Sequence, residues 1–274
     1  MFGRSRIPLA SFVAFLLART ASADSLVLTA DRDNTLFESP TGSLSNGAGA
    51  YLFAGSTSRG LRRRGLVHFD LTAVPPGSTV THATLQLFMS FTIAASEEMT
   101  VHRVLADWGE GTSDSGGTPA SGGGTGATST TNDATWIHRF FPSTTWSAAG
   151  GDFVIAPSAS QVVAPIASSY AWNGPQLIAD VQNWLRDPTT NYGWALIGPE
   201  SSTETAQRFN TRENPDATTR PQLLIEYTPA APAPFPRWAS AIFGALLALA
   251  GGHLARRSAA RRTATTLRNS AVRF

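Results

Sequence analysis

The chain has no cysteine and no Asn-x-Ser/Thr sequon, and its 21 basic residues are all arginine, with no lysine. Without cysteine there is no disulfide, no thiol nucleophile and no cysteine-ligated zinc, so stability has to come from burial alone. Long apolar runs are missing from the middle of the chain and occur only near its two ends. No Gly-x-Ser-x-Gly elbow is present. Gly122–Gly126 lacks both the spacing and the lysine of a phosphate-binding loop.

The formal net charge of +2 hides two opposite parts. Residues 24–229 hold 11 arginines against all 19 acidic residues, a net of −8. Seven further arginines follow Pro229. A nucleic-acid binder places its positive charge on the folded domain, so this acidic domain argues against nucleic acid as a partner.

The ends carry an address. Arg4 and Arg6 precede an apolar core from Ile7 to Ala18 and then Ala21-Ser22-Ala23, the order of a signal peptide over residues 1–23. At the far end a Pro-rich linker (230–237) leads to an apolar segment (238–255) and a basic tail (256–274). At 1.5 Å per residue, Trp238 to Leu254 reaches about 25 Å, against a hydrocarbon core of about 30 Å. The expectation is an exported protein held at a membrane by a short C-terminal helix, with its arginines on the inner side. The layout also resembles bacterial sorting signals of the PEP-CTERM kind, although Pro232-Ala-Pro234-Phe-Pro236 lacks the Pro-Glu-Pro motif. That resemblance implies a sorting protease acting on the tail.

Between the ends, short segments alternate with period two. Val67, Phe69 and Leu71 alternate with His68 and Asp70, and Leu85, Leu87 and Met89 with Thr84, Gln86 and Phe88. Turn residues such as Pro75-Pro76-Gly77 separate them. The pattern predicts an all-β, antiparallel sandwich over residues 24–229. One helix is expected from Gln176 to Arg186, with Leu177, Ile178, Val181, Trp184 and Leu185 at helical spacing and Asp187-Pro188 ending it. Gly111 to Ala134 is nearly all small or polar and is expected to be a long mobile loop that cannot bury apolar surface.

The order of segments resembles a family. Asp33-Asn34-Thr-Leu36-Phe-Glu38, Asn46-Gly47, Tyr51–Gly55, Arg62–Leu71, Trp108-Gly-Glu110-Gly, Ala134-Thr-Trp136, Gly193-Trp194, Arg208–Glu213 and Leu223–Tyr227 follow one another as in the DNRLRE-domain family. Those are jelly-roll-like sandwiches grouped with carbohydrate-binding modules in exported bacterial and archaeal proteins. The chain departs from the name motif at Thr35 and Phe37, where arginines would stand. The resemblance implies a non-catalytic module that binds polysaccharide or a cell-envelope glycan.

The candidate residues follow. Trp108 and Trp146 sit in polar surroundings and suit sugar stacking, with Glu110 and Arg63 as polar partners. Trp136, Trp184 and Trp194 sit in apolar patterns and read as core. The one cofactor to be expected is a structural calcium at the oxygen-rich stretch around Asp33 and Asn34. His68, His82 and His102 match no metal spacing and read as ordinary strand residues. Two other functions compete. One is a structural envelope protein that binds protein partners. The other is a polysaccharide lyase or hydrolase using Asp107, Glu110 and Asp114, whose spacing fixes no carboxyl separation.

Overall fold

The structure, a computed structural model, describes residues 22–116 and 122–231. The expected signal peptide as far as residue 21, the C-terminal apolar segment, the basic tail and nearly all of the Pro-rich stretch lie outside the described residues. Among the described residues no helix is long and apolar enough to cross a membrane.

The strands run in order β1 (Asp24–Thr29), β2 (Arg32–Phe37), β3 (Leu44–Ser45), β4 (Tyr51–Ser56), β5 (Arg62–His68), β6 (Thr79–Thr92) and β7 (Glu97–Arg103). They continue as β8 (Ala127–Thr128), β9 (His138–Phe140), β10 (Thr144–Thr145), β11 (Ala159–Val163), β12 (Ser168–Asn173), β13 (Trp194–Ile197), β14 (Gln207–Asn210) and β15 (Gln222–Thr228). The one α-helix among the described residues, α1 (Pro175–Arg186), follows β12.

All the pairings are antiparallel, and they form a β-sandwich. In one sheet β1 pairs with β15, and the long β6 carries β15 and then β14 along one edge and β12 along the other. The second sheet runs β2-β5-β13-β7-β11. Successive strands change sheets at β1/β2, β5/β6, β6/β7, β11/β12, β12/β13 and β13/β14, so the two layers are laced together along the chain. β4 belongs to both: its first residues pair with β14, while Gly55 and Ser56 pair with β5. Gly55 permits this bend. It has φ +111, and a Cβ there would meet the Thr205 carbonyl oxygen at 2.6 Å.

The period-2 residues of both sheets meet in one core. Leu52, Val67, Leu85, Leu87, Met99, Val101, Trp172, Trp194, Phe209 and Ile225 belong to a single buried cluster. Trp172 also ties the sheets by a hydrogen bond, its indole N–H donating to the Met99 carbonyl at 2.8 Å.

The expected helix forms. Pro175 occupies its first turn, where a missing N–H costs nothing, and Leu177, Val181 and Trp184 join the core. The Trp184 and Trp194 rings lie 4.5 Å apart. Trp136, Trp184 and Trp194 are all buried, as their patterns suggested.

The apolar face of α1 also carries a carboxylate. Asp180 is buried, and its Oδ2 accepts from the Trp194 indole at 3.0 Å and from the Ser158 hydroxyl. Its Oδ1 accepts from Gln176 and faces Arg103 Nε at 3.4 Å. One acid thus fastens the helix to both β13 and the turn before β11.

The Gly-rich stretch departs from its expectation. Ser113, Ser129, Asp133 and Ala134 are buried, and β8 pairs with β3. Asp133 replaces an apolar anchor, accepting bonds from the amide and the hydroxyl of Thr130. The apolar surface comes from elsewhere in the chain: Gly124 and Gly126 lie against the Phe53 and Phe37 rings, so a sequence with few apolar residues still covers apolar surface.

At the end of β2, Glu38 grips Arg62 through both the backbone N–H (2.7 Å) and the guanidinium (2.6 Å). This bond from Arg62 is the main reason the Glu38 carboxyl titrates below its ordinary value.

Two outcomes are expected. Asp180→Ala strands buried donors on Trp194 and Ser158 and should lower stability by roughly 3 kcal/mol in urea denaturation. Because the folded-state pKa of Glu38 is depressed, its contribution is present above the unfolded carboxylate range and is lost as pH falls through the folded value. Glu38→Gln should therefore lower the unfolding midpoint at pH 7, and the gap to wild type should close towards pH 3.

Candidate functional site

Trp108 does not present a stacking face. It is 0% exposed, its indole N–H donates to the Tyr192 carbonyl at 2.9 Å, and the Arg32 guanidinium lies 5.0 Å from its ring centroid. Trp146 is buried as well, with its indole N–H on the Thr135 carbonyl. Both belong to a second apolar cluster with Leu36, Leu66, Val104 and Trp136, packed on the face of the second sheet turned away from the main core. Their polar neighbours in sequence are the loops that close over them.

Arg63 is also buried. Its guanidinium lies 4.8 Å over the Phe37 ring and donates to the carbonyls of Gly124 and Arg62. Burial pushes its pKa down to about 10. The histidines remain apart, His68 on Asp31, His82 on Glu226 and His102 on the Val154 carbonyl.

The loop acids separate. Asp107 pairs with Arg32, and Asp114 caps the Gly116 amide. Glu110 instead meets Asp33 and Glu213, with one carboxylate oxygen from each of the three lying within 4.8 Å of the others. Arg212 is the cation among them. Its Nε and Nη2 fork onto Glu110 at 2.7 and 2.6 Å, and its Nε also reaches Glu213 at 2.8 Å. The Arg212 amide donates to Asp33 Oδ2, and the Asp33 amide donates to Glu110 Oε1.

Four segments build this cluster: the start of β2, the loop after β7, the turn at Asn46-Gly47 and the loop after β14. Gly47 allows the closest approach, since a Cβ there would lie 1.7 Å from the Glu110 carbonyl oxygen. Asn34 locks these segments together. Its Oδ1 accepts from the Thr35 amide, the Ser45 hydroxyl and the Asn46 amide, and its Nδ2 donates to the Glu110 carbonyl. Asn34 is therefore occupied and is not the calcium ligand its position beside Asp33 suggests.

The charges within the cluster are unbalanced. Burial, reinforced by the negative charge of Glu213, holds the Asp33 carboxyl well above its ordinary value. Burial and then Glu110 push Glu213 up to about 7. The hydrogen bonds that Arg212 donates to the Glu110 carboxylate raise the pKa of the guanidinium in turn. A hard cation is the group such an all-oxygen set can hold. Arg212 and Glu213 were legible only as part of the segment Arg208–Glu213, because nothing in the sequence places them beside Asp33, some 179 residues away.

A second patch was missed for a different reason. Strict alternation through Leu85, Leu87 and Met89 carries Phe91 into the core. Instead Arg208 faces Phe91 while the next residue, Phe209, faces Met89, so Ser90 is an extra residue and the phase flips. Phe91 ends 52% exposed. Its ring lies 5.3 Å from the Arg208 guanidinium, which sits 4.0 Å over Tyr51. Phe53 lies opposite Arg208 on β4, and Phe37 is 6.3 Å from Phe53.

Trp108→Ala should cost about 3–5 kcal/mol of stability in denaturant melts, as removal of a large core side chain does. A scan of protein-family models finds none that matches this chain, and a search of curated proteins likewise finds no match.

Proposed function

We propose that the chain is a non-catalytic module, exported and held at the cell surface, that binds polysaccharide at the aromatic patch around Phe91. The observation that carries this reading is the ladder of Phe91, Arg208 and Tyr51. A half-exposed ring backed by a stacked guanidinium offers an apolar face to the C–H side of a sugar. Neighbouring Ser90 and Thr92 donate their hydroxyls to the carbonyls of Arg208 in β14 and of Ala206 just before it, which keeps this end of β6 in place. The net charge of −8 on residues 24–229 disfavours a polyanion, so the ligand class is a neutral polysaccharide. The resemblance to the DNRLRE-domain family points the same way, and the signal-peptide and tail sequences support export and anchoring, with the tail open to a sorting protease.

A second reading is an envelope protein that binds protein partners. It draws on the edge strand β1, where Val27 and its cross-strand partner Leu224 are both exposed.

Affinity electrophoresis against neutral and acidic polysaccharides separates the two. Retardation by a neutral chain is expected, weakened about tenfold (~1.4 kcal/mol) in Phe91→Ala with an unchanged melting temperature. No retardation across the panel, with capture of a stable protein partner, would favour the second reading.

A further inference from the structure

The cluster of Asp33, Glu110, Glu213 and Arg212 contains three carboxylates and one guanidinium. With all four ionised it lacks two positive charges. The hydrogen bonds leave two oxygens unanswered, for Asp33 Oδ1 and Glu213 Oε2 are buried atoms with no hydrogen-bond partner. Asp33 is itself 0% exposed. A buried carboxylate oxygen without a donor is costly and points to a partner of another kind.

We propose that this cluster binds a divalent cation, calcium, through Asp33 Oδ1 and Glu213 Oε2 with Glu110 as third carboxylate. The charge fits, since one divalent ion cancels the deficit that Arg212 leaves. The geometry fits too. Oxygens spread over no more than 4.8 Å can share an ion whose metal–oxygen distances are about 2.4 Å. Magnesium requires a tighter octahedron at about 2.0–2.1 Å, and zinc prefers nitrogen and sulfur ligands, of which this cluster has none. Few protein ligands place the affinity in the range of extracellular calcium modules, about 10⁻⁴–10⁻³ M.

The ion would join three stretches of chain that no disulfide can tie: the start of β2, the loop carrying Glu110 and the loop after β14. It leaves Arg212 in place on Glu110 and does not depend on where a polysaccharide binds.

Calcium titration of the full chain after chelator treatment, by calorimetry and by thermal unfolding, tests the proposal. Saturable binding is expected, with a rise in melting temperature of about 3–5 °C at tenfold excess over Kd and a smaller response to magnesium. Glu213→Gln should weaken calcium binding about tenfold or more, while Asp114→Asn, in an exposed loop, should leave it intact. Asp33→Asn should weaken it likewise. Glu213→Gln is the deciding variant, because Asp33 is fully buried and its replacement disturbs folding. A proton shared between the two oxygens would satisfy them without an ion. In that case wild type shows neither heat nor a melting shift at 10 mM calcium (on the order of ten times the expected Kd), and the proposal falls. An equal calcium response in wild type and Glu213→Gln would overturn it as well.

Discussion

Everything in this domain rests on one continuous apolar layer closed between two sheets without any covalent staple. The layer draws on both sheets and on α1, and no cysteine is available to tie them. Burial has to be assisted by polar contacts inside it. Trp172 and Trp194 supply these, each burying a large ring and using its single N–H to reach another element. The Asp180 carboxylate makes sense in the same terms: a charge on the buried face of α1 is tolerable because indole, hydroxyl, amide and guanidinium donors surround it.

The all-arginine composition has a structural counterpart. Arg62 and Arg64 both lie over Trp136, Arg32 over Trp108, Arg63 over Phe37 and Arg208 over Tyr51. Several of these cations also fork onto carboxylates or donate to carbonyls in the plane of the guanidinium. A flat, delocalised cation can stack and donate at once, whereas the compact ammonium of lysine cannot. Arginine therefore serves as a covering layer over the aromatic rings that flank the main core. Arg212 is different, since it meets carboxylates and no ring, and it is there that negative charge remains in excess.

Much of the fold was legible because its causes are local. Alternation along β5 and β6 marks strands, and Pro175 with Asp187-Pro188 brackets a helix whose apolar spacing is evident. Trp136, Trp184 and Trp194 declare themselves by apolar neighbours. The candidate site was legible only in pieces. Asp33 stood out as a calcium ligand and Glu110 as a sugar contact or loop acid, while Glu213 was noticed only within the segment Arg208–Glu213. Trp108 and Trp146 misled because a tryptophan among polar residues reads as exposed, while here the polar residues belong to loops that fold over the ring. Phe91 is the opposite case: continued alternation would bury it, but one inserted residue at Ser90 reverses the face and leaves no trace in composition.

The sequence by itself determined an acidic, all-β domain with one helix, set between two apolar ends, because period, charge and turn chemistry act over a few residues. Only the tertiary structure decided which aromatic ring faces solvent, which arginine covers which ring, and which acids share a site. Those outcomes depend on strand register and loop closure between segments up to 179 residues apart, where no local pattern reaches.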